Sequence, residues 1–322
     1  MLTPLLAVAV GLPLLIWSAD RFITGAIEAA RRLNLSPMVI GLTLVAFGTS
    51  APEVVVSIVA AATSASAIAV GNALGSNIAN LGLVLGTAAL ITPIAVRRAN
   101  RTLELPVLTL VTLAAWPLLL DGRLGLVDGI ALLLGLVVAM TVLIRFGETG
   151  ASLTGDVPER ISTPQWRTWS RILVGLAVLI ASSRLLVWGA SELAAALGVG
   201  ELVIGLTVVA VGTSLPELAA SVASALKGRH DMALGNIVGS NLFNLLLVLA
   251  IPALIGGADI GTDAMVRDYG TMVVLTLALF ALILISGARA QLSRLGGGIL
   301  FAFYLGYTVI LGAGETGLLP AF

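Results

Sequence analysis

Apolar stretches close to twenty residues long recur along the whole of this chain, each able to cross a hydrocarbon core of about 30 Å as a helix. Nothing constrains the fold more, because a backbone in lipid must satisfy its own hydrogen bonds, and only helices and closed barrels do so. Ten-residue segments of alternating apolar and polar positions are absent, so a barrel is not expected. Composition agrees: of 322 residues, 58% are hydrophobic and 11% charged, with a mean hydropathy of +1.09. A water-soluble domain needs far more polar surface. The expected class is an all-α polytopic membrane protein.

Ten spans are predicted, at roughly 3–31, 38–62, 68–90, 102–120, 125–145, 169–196, 202–226, 231–255, 268–287 and 295–318. The first and sixth are long for one crossing and are expected to run tilted. The longest polar stretch, 147–168, holds Asp156, Pro158, Glu159, Arg160 and Pro164. It reads as a cytoplasmic linker between a first five-helix half, 1–146, and a second, 169–322. Met1 is followed by an apolar run with no basic flank and no small-residue cleavage site, so that run is taken as the first span. With no cysteine in the chain, disulfides, cysteine-held metal and thiol chemistry are excluded. A net charge of zero gives no electrostatic case for nucleic acid.

Positive charge in short loops sets orientation. With the N-terminus outside, thirteen of the 17 Lys and Arg fall in cytoplasmic loops, while only Arg123 and Arg267 fall outside. Both termini are therefore expected on the outer face.

Two segments match without a gap. Val39 to Leu85 contains GLTLVAFGTSAPE and then GNALGSNIAN; Val203 to Leu249 contains GLTVVAVGTSLPE and then GNIVGSNLFN. Thr49 pairs with Thr213, 164 positions on, and the same shift takes Glu53 to Glu217 and Asn80 to Asn244. Five spans per half is an odd number, so the second copy is expected to enter the membrane upside down, as in many secondary transporters. The identities gather at polar and glycine positions within apolar helices, which packing alone would not select.

A carboxylate near the centre of a membrane helix costs roughly 2.5–3.5 kcal/mol on insertion scales, so Glu53 and Glu217 are functional candidates by default. Thr49 and Thr213 lie four residues before them, on the same helical face. Pro52 and Pro216 lack an N–H, which leaves the Gly48 and Gly212 carbonyls without helical partners. Nearby carbonyls, those of Ala46 and Ala210, can then turn toward an ion. Such oxygen donors, without His or Cys, suit hard cations such as Ca²⁺ and Na⁺. Asn72, Ser76 and Asn80 are spaced by four, as are Asn236, Ser240 and Asn244. Interhelical hydrogen bonding and ion ligation are both open to each. The first is favoured for Asn72, Asn77, Asn236 and Asn241, the second for the deeper Ser76, Asn80, Ser240 and Asn244. Gly71 and Gly75, with Gly235 and Gly239, form small-xxx-small pairs for close helix approach.

GTSAPE with GNALGSNIAN, and GTSLPE with GNIVGSNLFN, resemble the paired α-repeats of the sodium/calcium exchangers, within the calcium/cation antiporter superfamily. The motifs cover under a third of the chain, and ten spans in five-plus-five order extend the likeness over its length. The resemblance implies a cluster of four cation sites between spans two, three, seven and eight. Glu53 and Glu217 would be the shared carboxylates. Thr49, Ser50, Thr213 and Ser214 would add hydroxyl or carbonyl oxygen, as would Ala46 and Ala210. Ser76 and Ser240 would flank the cluster, with Asn80 and Asn244 facing each other at its centre. Spans one and six would slide across this core. Some relatives, including potassium-dependent ones, carry Asp where this chain has Asn244; two amides leave only two formal negative charges, which argues against a potassium requirement.

Antiport of Ca²⁺ against Na⁺ is thus the expected function, in the plasma membrane of a bacterium or archaeon. No cofactor is expected, the lipid bilayer and the transported ions are the expected partners, and the monomer is the expected functional unit. Exchange of Ca²⁺ for H⁺ through the same glutamates is the alternative. A channel is disfavoured by the inverted repeat, and an intramembrane serine enzyme by the lack of a membrane-embedded His or Lys base. His230 is expected to be a solvated loop residue, and Asp259, Asp263 and Asp268 to lie in a solvated outer loop. Asp20, Arg21 and Arg184 fall inside spans, where snorkelling, pairing or facing a water-filled cavity are all open.

The orientation has a direct test. Single cysteines near Ser162 and near Thr262 should differ toward an impermeant thiol reagent on intact cells. The second should be labelled and the first spared; the reverse pattern inverts the topology.

Overall fold

In chain order the helices are α1 (Leu2–Leu33), α2 (Pro37–Thr49), α3 (Ala51–Ala62), α4 (Ser66–Ile91), α5 (Asn100–Leu119), α6 (Leu126–Phe146), α7 (Gln165–Ala196), α8 (Ala210–Thr213), α9 (Leu215–Leu226), α10 (His230–Ile255), α11 (Met265–Ile285) and α12 (Arg294–Ala313). The computed structural model describes residues 2–147, 164–198, 210–261, 264–287 and 291–315. Among these residues, eight helices are each long and apolar enough to cross a membrane, and α2 with α3 makes a ninth candidate bent by 45°. The chain is an all-helical, polytopic membrane protein. The expected seventh span is represented by α8 and α9, and its first residues lie outside the described ones. Most of the expected linker does too, although 165–168 already belongs to α7.

Local chemistry accounts for the broken span. Ser36 caps α2 by accepting a hydrogen bond from the Val39 N–H at 3.2 Å, and Pro37 enters the first turn with its φ preset. Thirteen residues on, the helix breaks at Ser50 (φ −83°, ψ 4°), two residues before Pro52. Proline cannot donate to the carbonyl four residues back and crowds it, so the axis turns. The second copy breaks identically, at Ser214 (φ −89°, ψ 4°) before Pro216.

The centre of the bundle is formed by α4 and α10. Of their apolar stretches 78% is buried, against 22% in α6 and α12, whose remaining faces are left for lipid. Close approach rests on glycine. A Cβ on Gly235 would stand 2.6 Å from the Met38 carbonyl oxygen, and one on Gly239 would stand 2.4 Å from that of Leu42, so α10 lies directly on α2. On the other side, Gly82 and Gly86 of α4 meet Tyr304 and Gly297 of α12.

The long helices α1 and α7 pack against each other through a second set of glycines. Gly11 abuts Leu186, Gly25 abuts Ile172, Gly175 abuts Phe22, and Gly189 abuts Ala7. At one end the pair is also pinned by polar contacts. Arg32 Nε donates to Thr168 Oγ1 at 3.1 Å, Thr168 Oγ1 donates to Glu28 Oε2 at 2.9 Å, and Arg171 forms an ion pair with Glu28.

Among the described residues, four two-residue strands clip the bundle: β1 (Ile94–Ala95), β2 (Arg123–Leu124), β3 (Ala258–Asp259) and β4 (Gln291–Leu292). β1 pairs antiparallel with β4, Ile94 opposite Leu292; β2 pairs antiparallel with β3, Arg123 opposite Asp259.

Two expectations about charged residues need correction. Asp268 is buried in α11, not solvated. It accepts from Arg267 Nε at 2.7 Å and from the Tyr307 hydroxyl at 3.1 Å, because a carboxylate on a helix facing the bundle needs donors there. His230 is half-buried as the first residue of α10 instead of lying in a loop, and the next residue, Asp231, forms an ion pair with Arg97 at 2.7 Å. Asp259 is exposed beside Arg123, and Asp263 lies outside the described residues.

The glycine contacts predict a difference of sign between two conservative changes. A Cβ on Gly175 would sit 2.7 Å from the Phe22 backbone nitrogen, whereas nothing lies within 4 Å of one on Gly306. Gly175→Ala should destabilise by about 1–3 kcal/mol through overpacking, while Gly306→Ala should be neutral or stabilise by up to about 1 kcal/mol from helix propensity. Thermal unfolding of the purified protein in detergent reads both.

Candidate ion-binding site

The two breaks bring the two glutamates into the protein interior. Glu53 opens α3 and Glu217 opens α9, each three residues beyond its break and each only 1% exposed. The elements carrying them touch across the bundle. Ser50 Oγ donates to Glu217 Oε1 at 3.2 Å, so the turn of the first copy contacts the carboxylate of the second. Thr49 Oγ1 lies 3.3 Å from Asn236 Oδ1 of α10, and is also in reach of the Val45 and Ala46 carbonyls of its own helix.

Amides of the central helices hold the first turns of α3 and α9. Asn72 Nδ2 donates to the Glu53 carbonyl at 3.1 Å, and Asn236 Nδ2 donates to Ser221 Oγ at 2.9 Å and lies 3.5 Å from the Glu217 carbonyl. These are the interhelical hydrogen bonds expected of Asn72 and Asn236. The same expectation fails for the other two asparagines. Asn241 Nδ2 donates within its own helix, to the Ile237 carbonyl at 2.8 Å, and Asn77 has no hydrogen-bond partner among the described residues. Among the described residues neither finds an acceptor on a neighbouring element.

What distinguishes this region is how much polar capacity is left unused. Both oxygens of Glu53, Oε2 of Glu217, the hydroxyls of Ser214 and Ser240, and both side-chain atoms of Asn80 and Asn244 are buried without a hydrogen-bond partner among the described residues. Ser76 is buried on the same face of α4 as Asn72 and Asn80. Buried polar groups are almost always satisfied, so a group of orphaned oxygens on neighbouring helices marks a place built for something else. Asn80 and Asn244 each begin a single π-helical turn, Asn80–Val84 and Asn244–Val248, an irregularity frequent at functional sites.

The carbonyls beside the breaks behave differently in the two copies. Ala46 O accepts the Ser50 N–H at 2.9 Å and the Thr49 hydroxyl at 3.3 Å, whereas at the second break the Ser214 N–H donates to the Val211 carbonyl at 3.2 Å. Gly212 O, which Pro216 leaves without a helical donor, accepts from Ser183 Oγ of α7 at 3.0 Å. Ala210 opens α8, and Thr213 is half-buried at its end. A cavity of about 250 Å³ reaches both breaks, touching Pro52, Gly212, Thr213 and Pro216 from one side and Ser183 and Arg184 of α7 from the other.

Three participants were missed from sequence. Ser57 and Ser221 are fully buried one turn beyond the glutamates, and their four-residue spacing in both copies was a usable signal. Ser183 had none, since its partner lies on another span.

A membrane bundle whose broken helices meet at two buried carboxylates, among hydroxyl and amide oxygens, has the architecture of an ion-coupled secondary transporter. Comparison with known proteins narrows the class. The family model for sodium/calcium exchanger proteins matches residues 3–145 and 168–313. CaxA of Alkalimonas amylolytica, named as an antiporter, is 45% identical over 97% of this chain and 99% of its own. The sodium/calcium exchanger MaX1 of Methanosarcina acetivorans is 30% identical over 95% of this chain and 97% of its own. Among solved structures, the sodium-calcium exchanger NCX_Mj soaked with zero Na⁺ and Ca²⁺ superposes with a TM-score of 0.82 at 32% identity, over 96% of this chain and 99% of that one. The chain belongs to the sodium/calcium exchanger family. It is a multi-pass membrane transporter of the cation-antiport class, and neither its family nor its fold is that of an enzyme.

Proposed function

We propose that this protein exchanges Ca²⁺ for Na⁺ by alternating access, through a site centred on Glu53 and Glu217. The observation that carries the reading is the pair of buried carboxylates with oxygens left unpaired, set among unpaired hydroxyl and amide oxygens. Two carboxylates balance one Ca²⁺, and several neutral oxygens complete a shell of the six to eight ligands that this ion takes. Thr49, Ser50, Thr213, Ser214 and the carbonyls of Ala46 and Ala210 surround the pair, with Ser76, Asn80, Ser240 and Asn244 supplied by α4 and α10. Sites rich in neutral oxygen suit Na⁺ as the counter-ion, whereas protons would need the carboxylates alone. Two five-helix halves, 1–146 and 169–322, joined by 147–168 and inserted in opposite senses with both termini outside, give each glutamate an equivalent place. The matching breaks at Ser50 and Ser214 and the matching π-turns at Asn80 and Asn244 support that arrangement.

Uptake of radioactive calcium into proteoliposomes, driven separately by an imposed Na⁺ gradient and an imposed pH gradient, tests the counter-ion. The Na⁺ gradient should drive uptake and the pH gradient should not. Calcium uptake driven only by the pH gradient would replace Na⁺ by H⁺ in this reading.

The charge balance yields a sharper expectation. In a low-dielectric site an uncompensated charge is expensive, so Glu53→Gln or Glu217→Gln leaves Ca²⁺ half-balanced while sparing shape. Each change should abolish calcium flux and weaken calorimetric Ca²⁺ binding by at least about 100-fold, roughly the 3 kcal/mol lost with a buried partner. Na⁺ binding should survive in part. Glu192→Gln, at an exposed position near the end of α7, should transport normally. Wild-type Ca²⁺ affinity in either buried variant would place the site elsewhere.

Asn244 sets a further condition. With amides at both central positions, the cage carries no third negative charge for a second monovalent cation. Exchange should therefore run equally with K⁺ or choline as background cation, and an absolute K⁺ requirement in the flux assay would contradict this.

A further inference from the structure

One ion pair crosses from α1 to the end of α9, two helices that otherwise meet through apolar side chains among the described residues. Lys227 Nζ, immediately after α9, lies 2.6 Å from Asp20 Oδ1 in α1. α1 itself is tied to α7, by the interlocking glycines and by the Glu28–Arg171 and Arg32–Thr168 contacts. α9 by contrast belongs to the core that carries Glu217 and packs on α10 through Ser221 and Asn236. Between them lies a cavity of about 380 Å³, lined on the α1 side by Leu15, Ala19 and Asp20 and on the α9 side by Leu218, Ala219 and Lys227. Its walls are apolar apart from the charged pair and Thr87. Beside it α1 and α9 share a buried apolar cluster that includes Ala19, Phe22 and Ala220, contacts without direction, and among the described residues the ion pair is the polar attachment between the two helices.

The second copy lacks this attachment. Shifting by 164 residues takes Asp20 to Arg184 and Lys227 to Thr63. Arg184 and a threonine cannot form an ion pair, and the Thr63 hydroxyl is spent on the Val59 carbonyl of its own helix at 2.9 Å. Arg184 lines the cavity of about 250 Å³ that reaches the breaks at Pro52 and Pro216. One of the two related gaps is therefore strapped by opposite charges and the other is not, while both reach motif residues, Leu215 in the first and Pro52, Thr213 and Pro216 in the second.

We propose that Asp20 and Lys227 are positioning residues for transport: their ion pair holds α1 against α9 and keeps closed the route to the glutamates from the end of the bundle that carries Arg31, Arg32 and Arg229. The proposal rests on the alternating-access reading and extends it by assigning one of the two routes to the site a specific lock. Partly exposed charges make a weak lock, which suits a contact that must break in every cycle. Neutralising either partner shifts the population toward the form in which α1 has moved away from α9, and exchanging the charges restores it.

The chain has no cysteine, so a single one reports cleanly. In purified, detergent-solubilised Ala219→Cys protein, the labelling rate with a charged methanethiosulfonate reagent measures opening of the gap between α1 and α9. Asp20→Asn or Lys227→Met should each raise that rate about two- to five-fold. The reversed pair, Asp20→Lys with Lys227→Asp, should return it to the starting value. Unchanged labelling in the single variants overturns the proposal. So does a reversed pair that labels as fast as the single variants, once size-exclusion chromatography has verified that all are monodisperse. Labelling needs no ion gradient, so its outcome is independent of calcium uptake: a failed flux assay with responsive labelling would sink the exchange reading and leave the lock standing.

Discussion

Holding two carboxylates away from water inside a membrane bundle is expensive, and much of this structure can be understood as the means of bearing that cost. A single ionised group in such a medium loses several kcal/mol of hydration that a protein can restore only with opposite charge and hydrogen bonds. Here the restoration is incomplete. Glu217 receives one hydroxyl from Ser50, and Glu53 receives none among the described residues. The fold supplies further oxygens on the neighbouring helices yet does not pair them with each other, and in the proposed exchange a cation is the partner that would complete the arrangement. Breaks at Ser50 and Ser214 deliver hydroxyls and carbonyls, and glycines let α10 lie close enough to α2 for Asn236 to reach Thr49.

Division of labour between helices follows from the same requirement. α4 and α10 are mostly surrounded by protein, and their polar residues can face inward because only the ends of these helices, as at Ile68, Ile91 and Ile255, are left exposed. α1 and α7 lie outside this core and interlock with each other, glycines of one helix making room for larger side chains of its partner: Gly11 for Leu186, Gly25 for Ile172 and Gly175 for Phe22. The polar ties between these two helices are gathered at one end, around Glu28 and Thr168, so they join α1 to α7 without fastening either to the core.

Much of this could be read in the sequence because lipid leaves few choices. Span positions followed from hydropathy, since a backbone in hydrocarbon has to be helical, and the described helices begin and end within a few residues of the expected limits, except in the seventh span, which is described only from Ala210. The 164-residue repeat pointed to Glu53 and Glu217, since a duplicated carboxylate in an apolar helix has no cheap structural explanation. What stayed hidden depends on contacts between spans. That Ser183 caps the Gly212 carbonyl, that Asp268 is buried against Tyr307, and that Asp20 meets Lys227 are facts about which helix faces which. Periodicity within one helix carries no such information. Asn77 shows the opposite limit: an interhelical bond was favoured for it, and it has no hydrogen-bond partner among the described residues.

The strand clips bear on how the molecule is held as one body. β1 lies in the first half of the sequence and its partner β4 in the second; β2 lies in the first and β3 in the second. The contact of α1 with α7 and the seat of α10 on α2 likewise join one half to the other. Each half therefore closes its hydrogen bonds and its apolar surface on its counterpart, and neither is a finished unit alone. The covalent connection between residues 147 and 164 is thus one link among many, and a chain nicked there would still be assembled as a heterodimer of its own fragments.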